Sequence, residues 1–154
     1  MRTFHGVEEL VGAVGTHLGY SDWHTITQSQ IDTFAEATGD HQWIHVDPNK
    51  AANGPFGTTI AHGYLTLSLV PMLTWEIYTV EGISMGVNYG ANRVRFPSPV
   101  PVGSKVRAAV ELVSVVSGDS GHRVTTEVTI EREDGDKPVC VVEVLSVLGG
   151  MSSL

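Results

Sequence analysis

The apolar positions of the chain follow two periods. Through Tyr78 they recur every three or four residues, and from Ile83 onward every two. Val7, Leu10, Val11 and Val14 share one helical face, so the spacing predicts a helix over 7–14 that Gly15 ends. Residues 17–26 read as extended chain, with Tyr20 and Trp23 as packing side chains. Thr27-Gln-Ser-Gln30 has the form of a capping box, and Ile31, Phe34, Ala35 and Thr38 fall on one face of the helix it starts. Gly39 is the expected left-handed stop, which makes 40–45 a loop. Asp47 and Pro48 supply a cap and a first-turn proline for a short helix through Ala52. Asn53-Gly-Pro-Phe-Gly57 is then a run of turn formers.

Gly63 to Tyr78 is the most apolar segment, about 24 Å long as a helix at 1.5 Å per residue. Leu65, Leu67, Leu69, Val70, Met72, Leu73, Trp75 and Ile77 cover nearly all its sides, and Glu76 is its only charge. A helix of that kind must be buried on all sides. Pro71 should kink it, because the ring leaves the Leu67 carbonyl without its donor. Beyond it, Val106, Ala108, Val110 and Leu112 alternate with Lys105, Arg107, Ala109 and Glu111, and Val124, Val128 and Ile130 alternate with Arg123, Glu127 and Glu131. These are strands with one wet face, joined into a meander by turns at Ser117–Gly121 and Asp134–Asp136. Ile83, Met85, Val87 and Tyr89 share a parity that Val94 and Phe96 lack, which predicts a bulge near Gly90-Ala91. Helices followed by antiparallel strands make the class α+β. One sheet curled around the Gly63–Tyr78 helix would bury both partners, and that is the hot-dog arrangement. We expect a single domain over 1–150 and a flexible tail at 151–154.

Composition narrows the function classes. With 154 residues the chain has length for one domain. A net charge of −8 argues against a general nucleic-acid binder, which needs clustered Lys and Arg. The N-terminus lacks the apolar run of a signal peptide, and the longest apolar stretches carry Pro or polar breaks, so no membrane association and a cytoplasmic location are expected. Cys140 is the single cysteine and stands within Val139-Cys-Val-Val-Glu-Val, the setting of a small core residue rather than a nucleophile. Seven histidines raise the question of a metal, but acidic partners are missing between His41 and His45, so none is expected.

Phe34-Ala-Glu-Ala-Thr-Gly-Asp-His-Gln-Trp-Ile-His45, followed by Ala51-Ala52 and by Phe56-Gly-Thr-Thr-Ile-Ala-His-Gly63, resembles the signature of the MaoC-like, (R)-specific enoyl-CoA hydratases. The likeness continues through Arg93-Val-Arg-Phe-Pro-Ser-Pro-Val-Pro-Val-Gly103 and spans about residues 18 to 147. It implies a hydro-lyase that adds water to a trans-2-enoyl-CoA and gives an (R)-3-hydroxyacyl-CoA, with coenzyme A as part of the substrate and no further cofactor. In that family an aspartate and the histidine five positions later hold and activate the water, and a glycine opening the central helix binds the thioester oxygen. Those positions correspond here to Asp40, His45 and Gly63.

The chemistry of these residue types agrees with what the resemblance implies. Adding water at C3 needs a base for the water's proton, an acid for C2, and a donor for the enolate-like oxygen that forms between. His is the side chain that switches near neutral pH, and a carboxylate beside it can orient the water. Gly63, opening a helix, offers an N–H with no partner inside the helix and no Cβ to hold the thioester away. Taken singly, Asp40 is an ordinary turn residue after a helix-ending glycine and His45 an ordinary surface or core histidine; the pair, with Ala61-His-Gly63 at the expected distance, favours the functional reading. Where the family usually has Asn-Pro between the two catalytic positions, this chain has Gln42-Trp43, which bears on water geometry and substrate preference. Trp43 either walls an acyl tunnel or packs. His41 is expected to be exposed, and His62 to cap or orient the central helix beside the substrate. Arg93, Arg95, Lys105 and Arg107 form one cationic cluster in the sequence, either a solvated strand face or a phosphate contact for coenzyme A, with Arg95 the poorest candidate because Phe96 and Pro97 draw it inward. The competing classes are a hot-dog acyl-CoA thioesterase, which uses a carboxylate facing the thioester carbon, and a non-catalytic acyl-thioester binding subunit. Since one sheet around one helix leaves open edges, a homodimer is expected.

Overall fold

The strand alternation is realised in the computed structural model, which describes residues 1–119 and 121–149. Four long strands, β5 (Met85–Arg95), β6 (Lys105–Gly118), β7 (Gly121–Arg132) and β8 (Cys140–Gly149), pair antiparallel with the shorter β2 (His17–Tyr20) in the order β2-β6-β7-β8-β5, and β3 (His24–Thr25) pairs with the start of β6. Val106, Ala108, Val110, Leu112, Val124, Val128 and Ile130 all point into the core, as period two requires. The bulge expected near Gly90 is present: the register with β8 slips between Asn88 and Gly90, and again between Asn92 and Arg95, where Arg93 takes a left-handed φ of 52°. The expected tail at 151–154 lies outside the described residues.

Helix α2 (Gln28–Thr38) begins and ends as its sequence predicts. The Thr27 hydroxyl accepts from the Gln30 N–H, and Gly39 stops the helix at φ 84°. Asp47 caps Lys50 in α4 (Pro48–Ala52) in the same way. The first helix is shorter than predicted. α1 (Val7–Val11) gives way at Gly12 to looser turns, and of the predicted face only Leu10 is buried, because the chain then closes on β6 through the Gly15 N–H and Leu112 carbonyl.

The central helix differs most from expectation. It is two pieces, α5 (Gly63–Ser68) and α6 (Val70–Trp75), broken at Leu69, with Pro71 in the first turn of the second piece. Pro71 is thus an N-terminal proline, a position where its missing N–H costs little. Nor is the helix buried all round: Leu65, Leu69, Val70, Leu73 and Ile77 face the sheet, while Tyr64 and Trp75 are 70% and 71% exposed. One sheet can cover only one side of a helix. Tyr78, expected to finish the helix, instead opens a strand, β4 (Tyr78–Val80), which pairs parallel with the unforeseen β1 (Arg2–Phe4). With α6 against β6 and α5 against β8, the layout is a hot-dog: a six-stranded antiparallel sheet, α+β in class, folded about a central helix, with the β1–β4 pair beside it. Among the described residues no helix is long and apolar enough to cross a membrane.

Candidate active site

A short extended segment ahead of the central helix assembles the site. The Ile60 N–H bonds the Ile44 carbonyl, the Ala61 N–H bonds the Val100 carbonyl, and the Val102 N–H bonds the Thr59 carbonyl. Residues 59–61 are thereby clamped between the loop after α2 and the segment before β6, which sets His62 and Gly63 beside Asp40 and His45. The loop itself is not loop throughout: α3 (Trp43–Val46) is a helical turn that carries His45. Sequence reading missed it because one turn has no period to detect.

His45 is buried, and its Nδ1 lies 2.8 Å from the Ile60 carbonyl. A carbonyl oxygen only accepts, so Nδ1 carries the hydrogen and Nε2 keeps its lone pair, the form a general base needs. Burial lowers the His45 pKa, with His62 acting in the same direction, while the Ile60 hydrogen bond and Asp40 oppose it. A pKa lowered by folding means that the unfolded chain takes up this proton first, so stability is full above about 6.5 and is lost as pH falls from there through the folded pKa. We expect the thermal midpoint to fall with pH across that window, and the His45→Gln variant to lose that part of the dependence.

Asp40 is exposed, just past left-handed Gly39, and its Oδ1 accepts from the Gln42 N–H at 3.3 Å. That bond to the Gln42 backbone turns the chain from Asp40 toward His45, and the Gln42 side chain is exposed. One ligand atom each from Asp40, His45 and His62 lie within 4.8 Å of one another. A water hydrogen-bonded at about 2.8 Å to a carboxylate and to an imidazole nitrogen spans a gap of that size. The same trio could be asked to hold a metal, but the two rings are stacked nearly parallel, 3.9 Å apart at 24°, so their in-plane lone pairs do not converge on one ion.

Gly63, His45, Thr66, Phe96, Val100 and Val139 are among the residues lining a cavity of about 310 Å³, within the size range of ligand pockets. Gly63 is the first residue of α5, and a Cβ there would meet the Phe96 ring at 3.0–3.2 Å, so only glycine lets this aromatic wall stand where it does.

The other sequence candidates do not line this cavity. Trp43 packs on Gly54, where a Cβ would come within 2.9 Å of its ring, and the Lys50 ammonium sits 4.7 Å over its face, so packing rather than the cavity wall accounts for it. His41 is exposed and 3.8 Å from Glu36. His62 does not cap the helix with its side chain; the ring turns back to the loop, where Nε2 donates to the Asp40 carbonyl at 2.9 Å. The cationic cluster is not a cluster. Arg93 and Arg95 are on edge strand β5, whereas Lys105 and Arg107 are on β6, with β7 and β8 between. The connection between them crosses the sheet, so neighbours in the chain are separated in space. Arg107 is also taken, its Nε 2.6 Å from the Glu131 carboxylate and its guanidinium 4.1 Å from the Tyr20 ring centre and 4.6 Å from that of Trp23. Arg95 is exposed, against the reason given for ranking it last, and it directly precedes the cavity residue Phe96.

One supporting residue escaped the sequence reading. The Gln28 amide donates to the His45 carbonyl at 2.8 Å, and its oxygen accepts from buried Thr59 at 2.6 Å, which ties α2 to both halves of the site. Its only signal was membership of the capping box.

A family model described as MaoC like domain matches residues 9–133. The chain is 56% identical over 144 residues to 3-hydroxyacyl-thioester dehydratase Z of Mycobacterium tuberculosis (strain ATCC 25618 / H37Rv), covering 93% of this chain and 95% of that one. It is 44% identical over 138 residues to nodulation protein N of Rhizobium leguminosarum bv. viciae, covering 88% and 86%. The solved structure of the (R)-hydratase from A. caviae involved in PHA biosynthesis is similar with a TM-score of 0.73 at 25% identity, covering 88% of this chain and 96% of that one.

Proposed function

The chain belongs to the MaoC like domain family, and from that premise we propose that it is an (R)-specific hydratase and dehydratase that interconverts trans-2-enoyl-CoA and (R)-3-hydroxyacyl-CoA. The observation that carries this reading is the buried His45, held through Nδ1 with Nε2 free, beside the Asp40 carboxylate and on the wall of a cavity that also exposes Gly63. In the hydration direction Nε2 takes a proton from the water that Asp40 orients. The oxygen adds to C3, and the Gly63 N–H receives the negative charge that moves to the thioester oxygen. The proton that Nε2 took from the water is then delivered to C2, which completes the addition and restores the neutral imidazole, and dehydration runs the same steps in reverse. No cofactor enters this scheme.

The test is spectrophotometric. Crotonyl-CoA and longer enoyl-CoA esters should lose their conjugated-thioester absorbance when the protein is added, and saturated acyl-CoA should release no thiol. Failure to hydrate any chain length removes the reading, and hydration of only the acyl-carrier-protein thioester removes the coenzyme A assignment while keeping the reaction.

We also propose a homodimer. β5 is an exposed edge strand, with Met85, Val87 and Tyr89 at 42%, 41% and 62% exposure. Between it and α6 runs an apolar groove of about 490 Å³ that includes the exposed Trp75. An open strand edge next to exposed apolar surface favours pairing with another copy. Light scattering at micromolar concentration should give twice the 16.5 kDa chain mass, and a monomer would contradict it.

A further inference from the structure

His62 touches both halves of the catalytic pair, and the hydration scheme gives it nothing to do. It is 2% exposed. One face of its ring lies on His45 at 3.9 Å, and Phe34 packs against the ring at 4.8 Å. Its Nε2–H donates to the main-chain carbonyl of Asp40 across 22 positions of sequence. That bond assigns the hydrogen to Nε2, so the neutral ring presents Nδ1 as an acceptor, and this atom is buried with no partner among the described residues. A side chain needed only to fill space or cap a helix does not require a ring nitrogen left unsatisfied in the interior.

We propose that His62 is a positioning residue for the Asp40–His45 pair: it ties the backbone at Asp40 to the start of the central helix and holds the His45 ring in the plane that aims Nε2 at the cavity. The proposal rests on the hydratase reading for its effect on turnover, but the contacts themselves do not. Asp40 follows the end of α2 and precedes α3, so no helix fixes its backbone. The His62 bond supplies that restraint, and a shift of about 1 Å in a catalytic group costs on the order of 10²-fold in rate. The stack has an electrostatic side as well. Asp40 and His62 are the charged or titratable groups acting on His45, Phe34 is the neighbour that α2 packs against His62, and His41 is turned toward Glu36. His62 acts on His45 in the same direction as burial, toward the neutral ring.

His62→Phe keeps a flat ring and loses the donor; His62→Gln keeps a donor and loses the stack. Each should retain the wild-type circular dichroism and KM while kcat falls about 10- to 100-fold. In His62→Gln, the NMR titration of His45 should move up, because burial remains but the lowering by His62 is gone, and the acid limb of kcat/KM should move with it. A merely structural role would lower the melting temperature without moving that titration. Unchanged kcat and unchanged His45 titration in both variants would overturn the proposal. If the variants fail to fold, ¹⁵N spectra of the wild-type protein decide it: hydrogen on Nε2 of His62 and Nδ1 of His45 supports the proposal, and the opposite tautomers end it. The NMR readings need no substrate, so a wild-type protein that hydrates nothing sinks the proposed function and leaves this pairing to be judged by itself.

Discussion

Exchanging His45 for Gln is expected to lower turnover of an enoyl thioester by roughly 10² or more, the contribution of a positioned general base. The substitution is chosen because Gln can still donate to the Ile60 carbonyl that now holds Nδ1 at 2.8 Å, so the local fold keeps its anchor. It cannot accept a proton from water. Asp40→Asn should cost a similar factor, since the amide retains an oxygen for the Gln42 N–H but loses the charge that orients water and favours the imidazolium. The double variant should be little worse than either single one, because two groups acting on one water fail together. Full activity in either single variant, measured with crotonyl-CoA under saturating conditions, would remove that residue from the mechanism. Additive losses would mean that the two do not share a water.

Gly63→Ala is expected to act by a different route and to reduce kcat/KM by about 10², the scale set by loss of one oxyanion donor. The new methyl would meet three atoms of the Phe96 ring at 3.0–3.2 Å. Phe96 is 41% exposed and lines the cavity, so the ring has room to move where the clamped backbone does not. A displaced ring occupies or narrows the space in which the thioester must reach the Gly63 N–H. Urea denaturation should therefore change little, in contrast to the kinetics. Trimming the wall with Phe96→Leu in the Gly63→Ala background should return part of the loss, because a smaller side chain accommodates the methyl. Wild-type kinetics in Gly63→Ala would show that the thioester does not approach this glycine.

The residues that could be read correctly in advance are those whose role is local. Thr27 and Gly39 bound α2 through bonds and dihedral preferences contained in a few consecutive residues, and the alternation of Val106 to Leu112 follows from the two-residue period of any strand. The segments around Asp40, His45 and Gly63 stood out through their resemblance to a family signature, and the structure sets Asp40 beside His45 and His45 and Gly63 on one cavity. Single turns such as α3 carry too few residues to show a period. The break at Leu69 depended on where Pro71 could sit at least cost, and the sequence alone offered two answers, a kink within a helix or the first turn of a new one.

By itself, then, the sequence determined the class α+β, the cap and stop of α2, the faces of β6 and β7, and which residues are candidates for hydration chemistry. Only the tertiary structure decided which of them meet. It brought His62 onto His45 through the clamped segment 59–61, set Trp43 against Gly54, and parted Arg93 and Arg95 from Lys105 and Arg107 by two strands. It also left β5 and one side of the central helix uncovered in the single chain. The reason is common to all four: capping and alternation are short-range, set within a turn or along one strand, whereas the contacts of a side chain depend on how distant segments cross, and a linear pattern carries no record of that crossing.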